Sequence, residues 1–135
     1  MSCILRVSGK NLDIEKAIEL FSDPSNIWNK GSRNRRGEVL EENIVTWVMS
    51  DADFDQLDLQ IEEVIELLVD YQECLDSLMK NVGVESAYLD FGYATKEVAI
   101  QGEYLEPKLL RLAGNLGIGI LLSRYPEMLE SEGGS

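Results

Sequence analysis

Between Gln56 and Val82 the chain sets apolar residues at Ile61, Val64, Ile65, Leu68, Tyr71, Leu75, Leu78, Met79 and Val82, in steps of three and four. That spacing gathers them on one stripe of a 3.6-residue helix. Gly83 follows where a left-handed residue closes a helix. A helix with one apolar stripe must lay that stripe on another layer of structure, and the rest of the sequence has to supply it.

The flanking segments supply strands. Residues 2–8, SCILRVS, are β-rich and bounded by Gly9. Leu12, Ile14, Ala17, Ile18 and Phe21 give a helical stripe that Asp23-Pro24 stops. Residues 38–49, EVLEENIVTWVM, alternate as one long strand or a tight hairpin, and residues 84–93 alternate again. A short strand is expected near 97–102. A helix through Leu105, Leu109, Leu110 and Leu112 ends at Gly114–Gly117, and a last strand, IGILLSRY, runs to Pro126. The order is β-α-β(β)-α-β(β)-α-β. It predicts an α+β sandwich whose antiparallel or mixed sheet carries three helices on one face, with ferredoxin-like topology as the nearest relative. Residues 1–126 form one domain in this reading, and residues 127–135 are a flexible acidic, Gly-Ser tail.

Composition narrows the function classes. The chain has no histidine, which removes Ser–His and Cys–His nucleophile pairs and the commonest metal ligand. No nucleophile signature replaces them, so the expectation is a protein without enzymatic activity and without a cofactor. Cys3 and Cys74 stand in no metal or redox spacing and are expected to be reduced, buried thiols. No apolar run approaches the roughly 20 residues that span a bilayer. With no signal-peptide core at the N-terminus, a cytoplasmic location is expected. A net charge of −13 disfavours nucleic acid and anionic membranes as partners.

That charge is unevenly placed. Residues 1–50 balance seven acids with seven bases, whereas residues 51–90 hold twelve acids and only Lys80. Glu62, Glu66 and Asp70 stand at i, i+4 and i+8 of the long helix, with Glu63, Glu73 and Asp76 beside them. Like charges at that spacing cost a helix about 0.2–0.5 kcal/mol per pair. Asp55 and Asp58 are favourable near its N-terminus, but Glu73 and Asp76 lie toward the unfavourable end of its dipole. The six carboxylates form either a solvated face or a docking surface for a basic protein. Asp51, Asp53, Asp55 and Glu62 fall at positions one, three, five and twelve of a calcium loop. Gln56 stands where that loop needs glycine, so a strand-to-helix turn capped by short acidic side chains is the simpler reading. AGNLGIG, residues 113–119, reads as a helix stop followed by a strand.

Against this acidity, SNIWNKGSRNRRG (residues 25–37) contains Lys30, Arg33, Arg35 and Arg36, a third of the twelve basic residues. It reads as a surface loop anchored by Ile27 and Trp28, or as an anion site using Arg forks. Pro24, Trp28, Lys30-Gly31 and Trp47, together with Leu109, Leu112, Gly117 and Tyr125, resemble the pattern of the bacterial domain of unknown function 4279 family. The resemblance spans most of residues 3–125. It implies scaffold roles for Trp28, Gly31 and Trp47 and transfers no activity, since that family has no established one. The arginines lie outside its motif.

Two functions are compatible with these features. One is a small acidic binding protein, most plausibly an immunity-type inhibitor of a basic protein toxin, with Glu62, Glu63, Glu66, Asp70, Glu73 and Asp76 as its face. The other is a regulatory α+β domain that binds a small anion at Lys30, Arg33, Arg35 and Arg36, with homodimerisation through an exposed strand edge as a further option.

Overall fold

A computed structural model describes residues 2–96, 98 and 101–126. The alternating N-terminal segment forms β1 (Cys3–Gly9), with Cys3, Leu5 and Val7 fully buried on one face and Ile4 and Arg6 half-buried on the other. Helix α1 (Ile14–Leu20) begins at Asp13, whose carboxylate accepts the Lys16 N–H at 3.1 Å as an N-cap. The chain continues through β2 (Asn26–Trp28), β3 (Asn43–Ser50), α2 (Leu57–Asp70), α3 (Gln72–Asn81), β4 (Ser86–Ala94), α4 (Pro107–Leu116) and β5 (Gly119–Tyr125).

The strands make one five-stranded sheet in the order β2-β3-β1-β4-β5. The pairs β2/β3, β1/β3 and β1/β4 are antiparallel, and β4/β5 is parallel. This is a single α+β domain with a mixed sheet. Leu5, Val7, Val45, Trp47, Leu89 and Phe91 from the sheet share one core with Ala17, Val64, Leu68, Leu75, Leu78 and Leu109 from the helices. Burying each aliphatic side chain of this kind contributes roughly 1.5–3 kcal/mol. Trp47 stays satisfied there because its indole N–H donates to the Ser22 carbonyl at 2.9 Å. Phe21 meets both Trp47 and Tyr71 edge-on, with ring centroids 5.5 Å apart in each pair.

The expected single long helix is two, which makes four helices among the described residues instead of three. It breaks at Tyr71 (φ −112°, ψ 23°), although the Tyr71 N–H still reaches the Leu67 carbonyl. A straight helix over 56–82 would run about 40 Å at 1.5 Å per residue. Strands of seven to nine residues span only about 23–31 Å. The bend keeps the stripe on the core: α2 packs on β3, β4 and α4, while α3 turns to α1.

Two smaller differences follow from the same packing. Residues 38–49 are neither one strand nor a self-contained hairpin, because β3 starts only at Asn43 and pairs with the unforeseen β2. Cys3 is buried as expected, but Cys74 is exposed on α3. The strand expected near 97–102 and the tail 127–135 lie wholly or partly outside the described residues; Gln101 and Gly102 are irregular. Gly117 closes α4 at φ 77° before β5, as the glycine turn predicts. No helix among the described residues is long and apolar enough to cross a membrane.

Candidate interaction surfaces

Among the described residues the sheet edge at β3 is only partly covered. Strand β2 pairs with Asn26↔Thr46, Ile27↔Val45 and Trp28↔Ile44 and goes no further along β3. Ser25 makes the last contacts, its N–H and hydroxyl both reaching the Thr46 carbonyl at 2.7 and 3.1 Å. Upstream of that point the chain comes from the helix side, where Ser22 accepts from Trp47. Since backbone groups two residues apart in a strand point the same way, the Val48 N–H and C=O face this uncovered edge. Val48 is 37% exposed.

Helix α2 passes beside that edge. A groove of about 340 Å³ lies between them, floored by Val48, Met49 and Leu67 and flanked by Asp51, Glu63, Glu66 and Asp70. Glu63, Glu66 and Asp70 are spaced i, i+3 and i+7, so they share one helix face. Glu63 is half-buried and fixed: its carboxylate accepts the Ser50 hydroxyl at 2.5 Å, and the Ser50 oxygen accepts the Ala52 N–H at 3.1 Å. A register shift in β3 opposite Cys3 and Ile4 brings Ser50 to this position.

The six carboxylates of the expected face therefore do not form one surface. Glu63, Glu66 and Asp70 share the groove. Glu62 turns to a separate recess with Asp58, Glu103 and Glu106. Glu73 sits in the first turn of α3, so the helix break converts an unfavourable dipole position into a favourable one. Asp76 is likewise not in an unfavourable setting, because Lys80 lies 3.1 Å away at i+4.

The basic stretch is an arm that extends the β2–β3 hairpin. Gly31 N–H donates to the Leu40 carbonyl and Leu40 N–H to the Ser32 carbonyl, both at 2.8 Å, and Arg33 bridges to Val39. At the tip the Asn34 side-chain oxygen accepts the N–H groups of Arg36 and Glu38 at 2.9 and 3.0 Å. Lys30, Arg33, Arg35 and Arg36 are all exposed. Arg33 is committed internally, its guanidinium donating to the Gly37 carbonyl at 2.6 Å. The returning limb carries Glu38, Glu41 and Glu42, so cations and carboxylates alternate around one projection. Ile27 and Trp28, the expected anchors, are 40% and 39% exposed.

The turn from β3 into α2 is built by amides more than by carboxylates. Gln56 is the N-cap residue without a side-chain cap bond, and its side-chain oxygen accepts the Asp53 N–H at 3.3 Å. Buried Gln60 donates to the carbonyls of Asp53 (3.1 Å) and Gly92 (2.7 Å), tying the turn to β4. Among the described residues no three His, Cys, Asp or Glu side chains gather closely enough to hold a metal ion, and Asp51, Asp53, Asp55 and Glu62 are no exception.

Sequence reasoning found the groove's acids but not its floor. Leu67 at i+4 from Glu63 was the available signal for a mixed face. Nothing in the sequence marked the pairing of β2 with β3 as stopping at Thr46. No protein-family model, curated protein or solved structure matches the chain. The family resemblance accordingly rests on the residues quoted for it.

Proposed function

We propose that the chain is a binding protein that receives a basic protein partner at the groove between β3 and α2, in the manner of an immunity protein neutralising a basic toxin. The observation that carries this reading is the combination of an uncovered strand edge with Glu63, Glu66 and Asp70 along one side. An extended segment added to that edge would find the Val48 backbone for hydrogen bonding and carboxylates for lysine or arginine side chains. The surrounding charge would steer a cationic partner and speed its association. The first four strands, ordered β2-β3-β1-β4, support a ferredoxin-like reading of the scaffold, with α4 and β5 appended. The small-anion alternative is less favoured because Arg33 is already engaged and Lys30, Arg35 and Arg36 are exposed to solvent.

The test is affinity capture from the native cells with the wild-type chain and with Glu66→Lys/Asp70→Lys, followed by association kinetics of the captured protein. One stoichiometric basic partner, bound at least tenfold more slowly by the double variant and less strongly at high salt, is the expected result. Equal kinetics for both chains would remove this groove from the interface.

A further inference from the structure

We infer that two copies of this chain associate across a two-fold axis beside β2, each laying its basic arm along the acidic groove of the other. The inference concerns the same groove as the proposed function but needs no other protein, so the two readings can fail separately.

The cations of the arm and the carboxylates of the groove are left unpaired within one chain. Lys30, Arg35 and Arg36 are exposed and form no ion pair among the described residues, and the same holds for Glu66 and Asp70. The tip of the arm, residues 33–37, has three arginines and no acid, while Glu41 and Glu42 stand at its base. Arm and groove lie at opposite ends of β3. The arm leaves from Asn43, and the groove opens at Val48, Met49 and Ser50. The arm therefore extends away from the groove of its own chain, and the groove it can reach belongs to another molecule.

Distances along the strand fit a reciprocal arrangement. At about 3.3 Å per residue, Val48 and Ser50 lie about 13–20 Å from Ile44 toward one end of β3. Leu40 and Val39, which hold the returning limb of the arm against Gly31 and Arg33, lie up to about 13–17 Å from Ile44 toward the other. A two-fold axis beside Trp28, the partner of Ile44, reverses the strand direction and superposes the two spans. Each arm then comes alongside the opposite groove. The two arms sit about 30 Å apart, well beyond the screening length of about 8 Å at physiological salt. Cations meet carboxylates twice in this arrangement and do not meet one another.

The surface between the two arms is apolar. Among the described residues β2 closes the strand order, and its three residues are exposed despite their pairing with β3. Val39, Trp28, Ile27 and Val48 are all exposed along this one edge. Tryptophan at the axis is the residue type that most often anchors an interface. Residues 1–50, which supply this edge, balance seven acids with seven bases. Two chains of net charge −13 thus meet through the half that carries no net charge.

Sedimentation equilibrium at tens to hundreds of micromolar tests the association with two charge-reversed chains. Arg35→Glu/Arg36→Glu sets an acidic arm against an acidic groove, and Glu66→Lys/Asp70→Lys sets a basic arm against a basic groove. Each alone should dimerise at least tenfold more weakly than the wild type, with an unchanged circular dichroism spectrum. Mixed in equal amounts they should form a one-to-one dimer, because both of its arm–groove pairs then join opposite charges. A misfolded variant could not give that rescue. A wild-type monomer throughout, single variants that dimerise like the wild type, or a mixture no more associated than its components would each overturn the inference. The arm variant leaves the groove unaltered, so a basic partner should still bind it. A monomeric wild type that binds such a partner overturns only this inference, and a dimer whose arm variant binds none overturns only the proposed function.

Discussion

Cys3 and Cys74 occupy opposite environments, and their chemistry should separate accordingly. Cys3 is fully buried in β1, where desolvation, and then the Asp90 carboxylate, push its thiol far above the ordinary value of 9.0. Cys74 is exposed. A thiol reagent at neutral pH should therefore titrate one equivalent in the native chain and two in denaturant; two rapid native equivalents would contradict the burial of β1. The linkage has a definite sign. The folded state retains the Cys3 proton at pH values where the unfolded thiol ionises, so this contribution is intact below pH 9 and declines above it. Wild-type stability should fall by up to about 1.4 kcal/mol per pH unit more steeply than that of Cys3→Ala in that range. Gln60 is the other instructive residue. It is fully buried, its amide N–H groups serve two carbonyls, and its side-chain oxygen has no protein partner. Gln60→Leu removes that orphan acceptor but strands the Gly92 carbonyl and leaves the Asp53 carbonyl with the Gln56 N–H alone. The expected cost is about 1–3 kcal/mol, read as a lower urea midpoint. Cys3 was legible because its neighbours alternate; Cys74 was not, because only the helix break decides which way it faces. Gln60 stands one turn before Val64 on the apolar stripe, which marks it as inward-facing, but its two carbonyl partners depend on tertiary contacts that no local pattern contains.

Helices α3 and α4 end where glycine permits a backbone that other residues resist. Gly83 follows α3 at φ 89°, and a Cβ there would meet the Asn11 carbonyl oxygen at 2.8 Å. Gly37, at the tip of the basic arm, has φ 78° and open space around it. The same substitution at the two sites separates conformational strain from collision. Gly37→Ala should cost about 1–2 kcal/mol, the left-handed penalty alone. Gly83→Ala should cost clearly more, because backbone must also move; equal melting temperatures for the two variants would refute this account. Termini of this kind are readable, and Gly83 and Gly117 were both identifiable as helix stops. Breaks without glycine are not. Tyr71 continues the apolar spacing from Leu68 to Leu75 without interruption, so periodicity alone gives one helix. What divides it is the length of the sheet beneath and the packing of Tyr71 against Phe21, neither of which is local. Strand β2 was missed for a related reason: three exposed residues beside a basic arm have no buried face to alternate, and only pairing with Ile44–Thr46 makes them a strand.

At the scale of the molecule, the distribution of charge opposes folding and has to be explained by something other than stability. Twelve carboxylates against one lysine over residues 51–90 repel one another wherever they are exposed. The helix break relieves Glu73 through the α3 dipole, and Lys80 relieves Asp76, but the groove acids Glu66 and Asp70 receive no such relief from their own helix. They are spaced i and i+4, where like charges cost about 0.2–0.5 kcal/mol. Raising ionic strength from 0.01 to 0.15 M shortens the screening length from about 30 to about 8 Å. Wild-type stability should rise over that interval, and it should rise less in Glu66→Lys/Asp70→Lys, which removes part of the repulsion. At low salt that double variant should also be the more stable chain, by a few tenths to about 1 kcal/mol. A solvated face with no partner and a docking surface both predict this gain. They part on binding: if these carboxylates serve only solubility, the stabilised variant should retain every interaction of the wild type, whereas a docking surface gains stability and loses its partner together. Chemical denaturation at both salt levels, run beside partner association for the same two proteins, measures both quantities. A stabilised variant with unimpaired association would leave the acidity of α2 without a recognition role.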